Sequence, residues 1–287
     1  MMSKALGSPT RTQHQIGRQG KLRLHFAHAH GRTVLQESYF HAPLQVMRPI
    51  RDDSGAVQIY MLSPTGGVVQ GDRYSVDITL DAGTHAVVTT IAANKVYKMP
   101  DGYARQIINI HVGAGAILEF IPDALILFKD AELEQEIRIT LGDGAVCIFQ
   151  DSIMGGRITR GEVLQFRRFY NLIDVRDETG LLMYDRMDYK PQPTDVQRIG
   201  LFDGFAIWGT WCVFGDLAGR GIDSHAFCQD HQEAMSESSL ASISALHRNG
   251  LCARFLSNRL ETIEASFEML RQSLRSALNI RYSKIRK

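Results

Sequence analysis

The sequence has no excess of charge of one sign. Its 287 residues include 32 Lys and Arg and 31 Asp and Glu, which gives a formal net charge of +1. Binding of nucleic acid or of an anionic membrane depends on a positive field over the protein surface. We therefore expect neither partner, and a hydrophobic content of 44% is typical of a globular chain.

Cysteines are few and widely spaced, at Cys147, Cys212, Cys228 and Cys252. They form no CxxC pair, so neither a disulfide framework nor a zinc knuckle is indicated. The first residues lack the apolar core of a secretory signal, and the longest apolar stretch, FAIWGTWCVF, is too short to span a bilayer. These absences predict a cytoplasmic protein with a flexible polar segment at residues 1–20 and a single domain at residues 21–287.

Familiar catalytic signatures are missing as well, including GxSxG and HExxH. The stretch SPTGGVVQGD has Gly66 and Gly71 at the spacing of a phosphate-binding loop, but Asp72 stands where that loop needs lysine. A carboxylate there would repel phosphate oxygens, and a strand rather than a helix is indicated next. Because Asp and Glu are plentiful, a β-rich carbohydrate hydrolase or lyase stays open as an alternative. A generic β interaction module is a second one.

Alternating apolar and polar residues dominate the first two thirds of the chain. The segments YSVDITL, IINIHV and EIRITL each place their apolar residues on one face, as half-buried strands do. Each is followed by a small turn, at Gly83, Gly115 and Gly144. A recurrence of about 30 residues is typical of stacked units. We predict a mainly β fold, a curled, helix-like stack of β-hairpins or sheets, with a generic sandwich as the alternative.

The C-terminal region follows a different pattern. In SNRLETIEASFEMLRQSLRSAL the apolar residues recur every three or four positions and form one stripe. This predicts a helix at about residues 258–278 that packs on the β body, with a docking face for a helical partner as the alternative. Arg271 and Arg275 suit the C-terminal end of such a helix.

Three histidines lie close together in HFAHAHGR, at His25, His28 and His30. On a strand, His28 and His30 would project from the same face and would be able to share a metal ion. Histidines on a solvated strand face usually bind nothing, so both interpretations stay open.

Several motifs in succession resemble the UreD family of urease accessory proteins, called UreH in some lineages. They are GRTVLQESYFHAPLQVMRPI, SPTGGVVQGD, TTIAANKVYK, GAILEFIPDALILF, GGRITRGE and GLCARFLS, with Gln106 between the third and the fourth. With the final helix they cover about residues 31 to 278, in the family's order. Each motif is weakly specific, and their succession carries the resemblance.

The resemblance implies a non-enzymatic maturation scaffold with a mainly β, curled fold and helices near the C-terminus. Similar proteins bind urease apoprotein and the helical accessory protein UreF, through which they reach the GTPase UreG. The assembled complex delivers nickel to the urease active site. The resemblance therefore implies no tightly bound cofactor, but nickel in transit.

Nickel in transit needs a wet path with spaced oxygen ligands, since an apolar core would strip the ion of water at great cost. Within the family motifs, the acidic candidates for such a path are Asp72, Glu119, Asp123 and Glu162. Structural roles are open for each of them. For example, Asp72 would also suit a turn, and Glu162 would also pair with Arg157 or Arg160.

Other motif residues are candidates for partner contacts or for local geometry. Lysine, tyrosine and arginine side chains at Lys95, Tyr97, Arg157 and Arg160 suit an interface, although Lys95 would also neutralise Asp72. The remaining motif positions are Gly66, Gly67, Gly71, Gln106, Pro122, Gly156 and Gly161. The glycines among them indicate positive φ or close backbone approach.

Overall fold

A computed structural model of the chain describes residues 18–236, 239–248 and 250–285. Most of the predicted polar N-terminal segment, residues 1–17, lies outside these ranges. The first strand begins at Gln19, so the last two residues assigned to the polar segment are part of the β structure.

Strands are the main secondary structure of the described chain. In chain order they are β1 (Gln19–Ala29), β2 (Arg32–His41), β3 (Gln45–Val46), β4 (Ile50–Arg51), β5 (Val57–Leu62), β6 (Arg73–Leu80), β7 (His85–Thr90), β8 (Asn94–Val96), β9 (Ala104–Val112), β10 (Ile117–Ile121), β11 (Leu125–Leu127), β12 (Glu132–Leu141), β13 (Val146–Met154), β14 (Arg168–Asp177), β15 (Gly180–Tyr189), β16 (Ile207–Gly215), β17 (Leu240–Ala245) and β18 (Leu251–Ser257). The helices are α1 (Ser224–Ser236) and α2 (Leu260–Ala277), with short 3₁₀ turns at Ile158–Arg160, Asp195–Gln197 and Ala218–Arg220.

Two large sheets face each other. The first has the order β15-β14-β12-β9-β6-β1-β2, and the second has the order β17-β18-β16-β13-β10-β7-β5-β3. The middle strands of both sheets run parallel, while the edges close with antiparallel pairs such as β1–β2, β14–β15 and β17–β18. The short strands β8 and β11 pair in parallel, and β11 also pairs with the end of β13, so that they form a narrow third side.

The repeated glycine turns are the corners of this stack. Each one carries the chain from the first sheet to the second, between β6 and β7, β9 and β10, and β12 and β13. The corners stack on one another, because the Gly83 amide donates to the Ala114 carbonyl and the Gly115 amide donates to the Asp143 carbonyl, both at 2.8 Å. The predicted helix-like β stack is confirmed, and its repeating unit is a coil with parallel neighbours rather than a hairpin.

Alternation places one face of every central strand in the space between the sheets, and a large apolar cluster fills most of that space. The predicted C-terminal helix is confirmed as α2, which packs on the outer face of the second sheet through Ile263, Phe267, Leu270 and Leu274. None of the helices within the described ranges is long and apolar enough to cross a membrane.

Candidate functional site

Between the two sheets, at one level of the stack, the inward-facing residues are polar instead of apolar. We call this set the interior polar row. Its members are Thr90, Gln106, Gln135, Asp151, Asn171, Asp185, Thr210 and Arg254. Most of them are direct neighbours in the strand register: Gln106 opposes Gln135, which opposes Asn171 in the first sheet. In the second sheet, Asp151 opposes Thr210, which opposes Arg254.

Hydrogen bonds connect the row within each sheet and across the gap. In the first sheet, the Gln135 amide donates to Asn171 Oδ1 at 3.1 Å. Asn171 Nδ2 then reaches across to Asp151 Oδ2 at 3.2 Å. Arg254 donates to Thr210 at 3.0 Å and crosses to Asp185 Oδ2 at 2.8 Å. The row therefore links the facing sheets by polar contacts inside an otherwise apolar interior.

Asp151 is a carboxyl of the row whose acidity is perturbed. Burial raises the pKa of this carboxyl to about 6, while the Asn171 hydrogen bond acts in the opposite direction. Unlike the fully buried core residues beside it, Asp151 keeps part of its surface accessible. A carboxyl of this kind is partly protonated near neutral pH and can exchange its proton for a cation.

The shifted pKa of Asp151 predicts a pH-dependent effect of Asp151→Asn on stability. The folded pKa lies above the ordinary value of about 3.9, so the native state is favoured at low pH and is penalised as pH rises through about 6. Asp151→Asn should therefore raise the free energy of unfolding at pH 8 and leave it nearly unchanged at pH 4. Urea unfolding at both pH values measures this difference, and an equal effect at both would contradict the assignment.

The row ends in a cavity on each side. At the N-terminal end, a cavity of about 190 Å³ is lined by Thr90 and Gln106 together with residues of the SPTGG and IAANK segments. At the opposite end, a groove of about 340 Å³ is lined by Thr210 and Arg254 together with apolar residues such as Trp208. Polar side chains thus run through the interior from one cavity to the other.

Motif residues that are far apart in sequence meet at the first cavity. Gly66, Gly67, Lys95 and Gln106 all line it. Lys95 is exposed, and no ion pair joins it to Asp72 among the described residues. Its backbone carbonyl lies against Gly67, where a Cβ atom would stand 2.3 Å from the Lys95 oxygen. Close approach of two backbones therefore explains the glycine at this position.

The contact at Gly67 predicts that Gly67→Ala is destabilising. The methyl group would clash with a backbone oxygen, and the φ of 154° is strained for a residue with a Cβ atom. We expect a loss of about 2 to 3 kcal/mol in the free energy of unfolding, as for overpacked sites. Urea unfolding measures it, with Gly55→Ala as the control, because Gly55 also has positive φ but open space around it. Equal losses in the two variants would contradict a specific clash.

Asp72 organises the loop that follows these glycines. Its Oδ1 accepts from the Arg18 amide at 2.9 Å, and its Oδ2 accepts from the Val69 amide at 2.9 Å and from the Tyr74 hydroxyl at 2.6 Å. The side chain is buried, and burial together with this hydrogen bond raises the pKa of Tyr74. The preceding Gly71 donates its amide to the Tyr103 carbonyl at 3.1 Å. Asp72 therefore acts as a turn residue within this structure.

Two further motifs meet around Phe128 at the third side of the stack. Tyr97 packs edge-on against its ring at 5.2 Å, and the Arg157 guanidinium lies over the ring at 4.4 Å. Arg157 also binds Glu162 through two guanidinium nitrogens, with the Nε–Oε2 distance at 2.8 Å. This ion pair lowers the pKa of Glu162. Of the two pairings open from sequence for Glu162, the structure has the one with Arg157.

In the loop that contains Arg157, the glycines allow close backbone approach or a tight turn, and Arg160 is exposed. A Cβ atom on Gly156 would stand 2.2 Å from the Glu162 carbonyl oxygen. Gly161 follows the short 3₁₀ turn, and the side chain of Arg160 is exposed. The cluster of Tyr97, Phe128 and Arg157 thus joins residues of three motifs.

Glu119 lies outside both of these places, in a buried ion cluster beneath α2. Its Oε2 accepts from Arg271 Nε at 2.7 Å, and its Oε1 accepts from Arg275 at 2.6 Å and contacts His85 Nε2 at 3.0 Å. Arg275 also binds Asp52 at 2.9 Å. Glu119 and Arg275 are fully buried, and Arg271 is 1% exposed.

The cluster joins the helix, the second sheet and the chain after the helix. Burial by itself would raise the pKa of Glu119, but the His85 hydrogen bond and the two arginine charges hold it well below its usual range. The arginines also donate to the carbonyls of Ser283 and Arg281, at 3.1 and 2.9 Å. Glu119 therefore fastens α2 and the C-terminal segment to the β body.

The remaining predicted positions, Asp123 and Pro122, lie between the interior polar row and the buried cluster around Glu119. Asp123 exchanges hydrogen bonds with Thr90, a member of the interior polar row, at 2.8 and 3.1 Å. It also borders a cavity of about 230 Å³ next to Arg271. The carbonyl of Pro122 accepts from the Gln150 amide at 3.3 Å. Of the four predicted acids, Asp123 alone contacts the row.

The histidines do not share a strand face as the sequence suggested. His28 contacts the Gly83 carbonyl at 3.0 Å, and His25 contacts Asp81 Oδ1 at 2.8 Å. His30 has left the strand for the β1–β2 turn, where its φ is 53°. Within the described ranges, no group of three or more His, Cys, Asp or Glu side chains is placed to share a metal ion.

Sequence reasoning did not identify most of the interior polar row or the buried arginines. Polar residues at inward positions of alternating strands, such as Gln135 and Asn171, are the signal that would have indicated the row. From the sequence, Arg271 and Arg275 were expected to interact with the dipole at the C-terminal end of the helix. In the structure they lie beside the apolar stripe and donate hydrogen bonds to the buried Glu119.

Comparison with known proteins agrees with the motif pattern. The family model described as UreD urease accessory protein matches residues 18–286. The protein of Deinococcus radiodurans with the name urease accessory protein UreD is 33% identical over 75% of this chain and 76% of its own length. That of Haloarcula marismortui is 30% identical over 91% of this chain and 85% of its own length. UreD 2 of Streptomyces griseus is 30% identical over 96% of this chain and 92% of its own. With a family match that spans nearly all of the described residues and motifs that converge in the fold, the chain belongs to the UreD family of urease accessory proteins.

Proposed function

We propose that this chain is a non-catalytic scaffold of urease maturation that binds urease apoprotein and UreF, reaches UreG through UreF, and passes nickel toward the urease active site. The family match over residues 18–286 carries this proposal. The relatives are named as accessory proteins of urease, which supports a role in maturation rather than in turnover. We expect this maturation to take place in the cytoplasm.

The interior polar row supports a path for the ion. A divalent cation cannot cross an apolar core, because its desolvation is too costly. The row supplies side-chain oxygens at successive strands, from Gln106 and Thr90 at one cavity to Thr210 at the other. Nickel accepts oxygen ligands, and amide and hydroxyl groups hold an ion weakly enough to release it.

Of the four acids first expected on the path, Asp123 adjoins the row through Thr90. Asp151, which was not among them, lies within the row. The oxygens of Asp72, Glu119 and Glu162 are engaged by backbone amides, hydroxyls or cations. We therefore assign the ion path to the row with Asp123 and Asp151, and an architectural role to the other acids.

Copurification tests the partner assignment. The tagged full-length chain is expressed with its cognate urease subunits and with UreF, with UreG added in a second set. We expect urease and UreF to copurify with the chain, and UreG only when UreF is present. Recovery of none of them from cells where all are soluble would contradict the scaffold function.

The exposed side chain of Arg160 is a candidate for one of these contacts. Arg160→Ala should weaken copurification of urease or of UreF without changing thermal stability.

The path assignment predicts that Asp151→Asn slows nickel loading of urease while assembly stays intact. We expect nickel loading to be roughly fivefold slower, because the loss of one weak ligand costs about 1 kcal/mol. The measurement is nickel content and urease activity after activation by the purified complex. Asp174→Asn is the matched control, because Asp174 pairs with Arg176 two residues along the same strand and lies outside the row. Unchanged loading in Asp151→Asn with normal copurification would contradict the path but not the scaffold.

A further inference from the structure

Two cysteines and a methionine lie next to one another inside the stack, beyond the polar row. Cys212 on β16 and Cys252 on β18 are directly opposed in the antiparallel register. Both belong to the apolar cluster between the sheets, so their side chains share the inward face. Met183 on β15 approaches from the facing sheet, with its Sδ 3.9 Å from Cys212 Sγ.

This spacing matches the edge of a three-coordinate sulfur site. A thiolate sulfur lies about 2.3 Å from a bound ion of this size, so three sulfurs in a plane around it stand about 4 Å apart. Directly opposed residues of an antiparallel pair also have their side chains at about 5 Å between Cβ atoms, within reach of one ion. Two thiols and a thioether are soft donors, which select Cu(I) over the hard divalent cations.

We propose that Cys212, Cys252 and Met183 form a binding site for a soft monovalent cation, Cu(I). Its sulfur ligands are distinct from the oxygens proposed for nickel, and the site does not depend on that function, although both reach the same groove. Thr210 lies two residues from Cys212 on the inward face of β16, and Arg254 lies two residues from Cys252 on the inward face of β18. Both line the groove of about 340 Å³ that opens to solvent. This groove is the entry route for the ion.

Competition for Cu(I) tests the site. The reduced full-length chain is titrated without oxygen against a chromophoric Cu(I) chelator of known affinity. We expect one Cu(I) per chain, with affinity at least about tenfold lower in Cys212→Ser and in Cys252→Ser, since each removes a ligand. Met183→Leu keeps the side-chain volume and should weaken binding as well. The matched controls are Cys228→Ser, on α1, and Met269→Leu, on α2.

X-ray absorption of the wild-type copper complex keeps the test independent of how the variants fold. A shell of three sulfurs at about 2.3 Å supports the site. A shell of nitrogen or oxygen, or wild-type affinity no higher than that of the Cys212→Ser, Cys252→Ser double variant, overturns it. A loss of binding in Cys228→Ser equal to that in Cys212→Ser also overturns it. Thermal melts of the apo variants identify any that are misfolded.

Discussion

Replacing Glu119 with Gln should lower the free energy of unfolding by about 3 to 5 kcal/mol, the usual cost of leaving a buried charge without its partner. Arg271 and Arg275 are both almost fully buried, and Glu119 accepts from both of them. Arg275 retains Asp52 in the variant, whereas Arg271 retains the partly exposed Glu268, the Ser283 carbonyl and the face of the Tyr282 ring. The loss of its buried partner at Arg271 is therefore the main cause of the expected destabilisation.

The effect of this variant should depend on pH in a definite direction. The folded pKa of Glu119 lies below its ordinary value of about 4.3, so its contribution is complete above that value and is lost as pH falls below it. The difference in unfolding free energy between wild type and Glu119→Gln should thus be largest at pH 6 to 7. It should shrink as the pH is lowered from about 5 toward 3.

Urea unfolding of both chains across this range provides the measurement. Asp174→Asn is again the control, because an exposed ion pair contributes only about 0 to 1 kcal/mol. A Glu119→Gln variant within about 1 kcal/mol of wild type at pH 7 would show that the cluster does not stabilise the fold. Hydrogen exchange should also show α2 amides losing protection before those of the central strands, since the cluster joins α2 to the sheet.

Replacing Asp72 with Ala should cost about 3 kcal/mol of stability. The change leaves the buried Tyr74 hydroxyl and the partly buried Val69 amide without their acceptor. A buried loss of this kind costs about 1 to 3 kcal/mol. The Arg18 amide loses the same partner, but it lies at the edge of the described chain. Tyr74→Phe removes one of these hydrogen bonds and should cost about 1 kcal/mol, so the two variants form a graded pair.

Thermal and urea unfolding of these two variants and their double mutant measure the coupling between Asp72 and Tyr74. A double mutant no less stable than Asp72→Ala is expected, because Tyr74 has then already lost its partner. An additive result, with no coupling, would contradict the hydrogen-bonded turn. If Asp72→Ala instead reduces nickel loading of urease at unchanged stability, Asp72 acts on the ion path and not on the turn.

The sequence alone determined the β character of the chain, the stacking period and the terminal helix. Each rests on local periodicity: two residues per repeat in a strand, about 3.6 in a helix, and about 30 for one coil. Local patterns of this kind do not depend on which residues are in tertiary contact. The strands that end at Leu80, Val112 and Leu141 and the helix that begins at Leu260 are therefore confirmed. The family motifs were also recognisable before any contact was known.

Only the tertiary structure decided which residues act together. Parallel stacking places Gln106, Gln135 and Asn171 in one row because coils about 30 residues apart come into register, a relation that no local window contains. Glu119 and Arg275 are 156 residues apart, and their pairing depends on where α2 lands on the second sheet. Charge and hydrogen bonding act through space, so a motif acid such as Asp72 or Glu119 showed its partners only when the chain was folded.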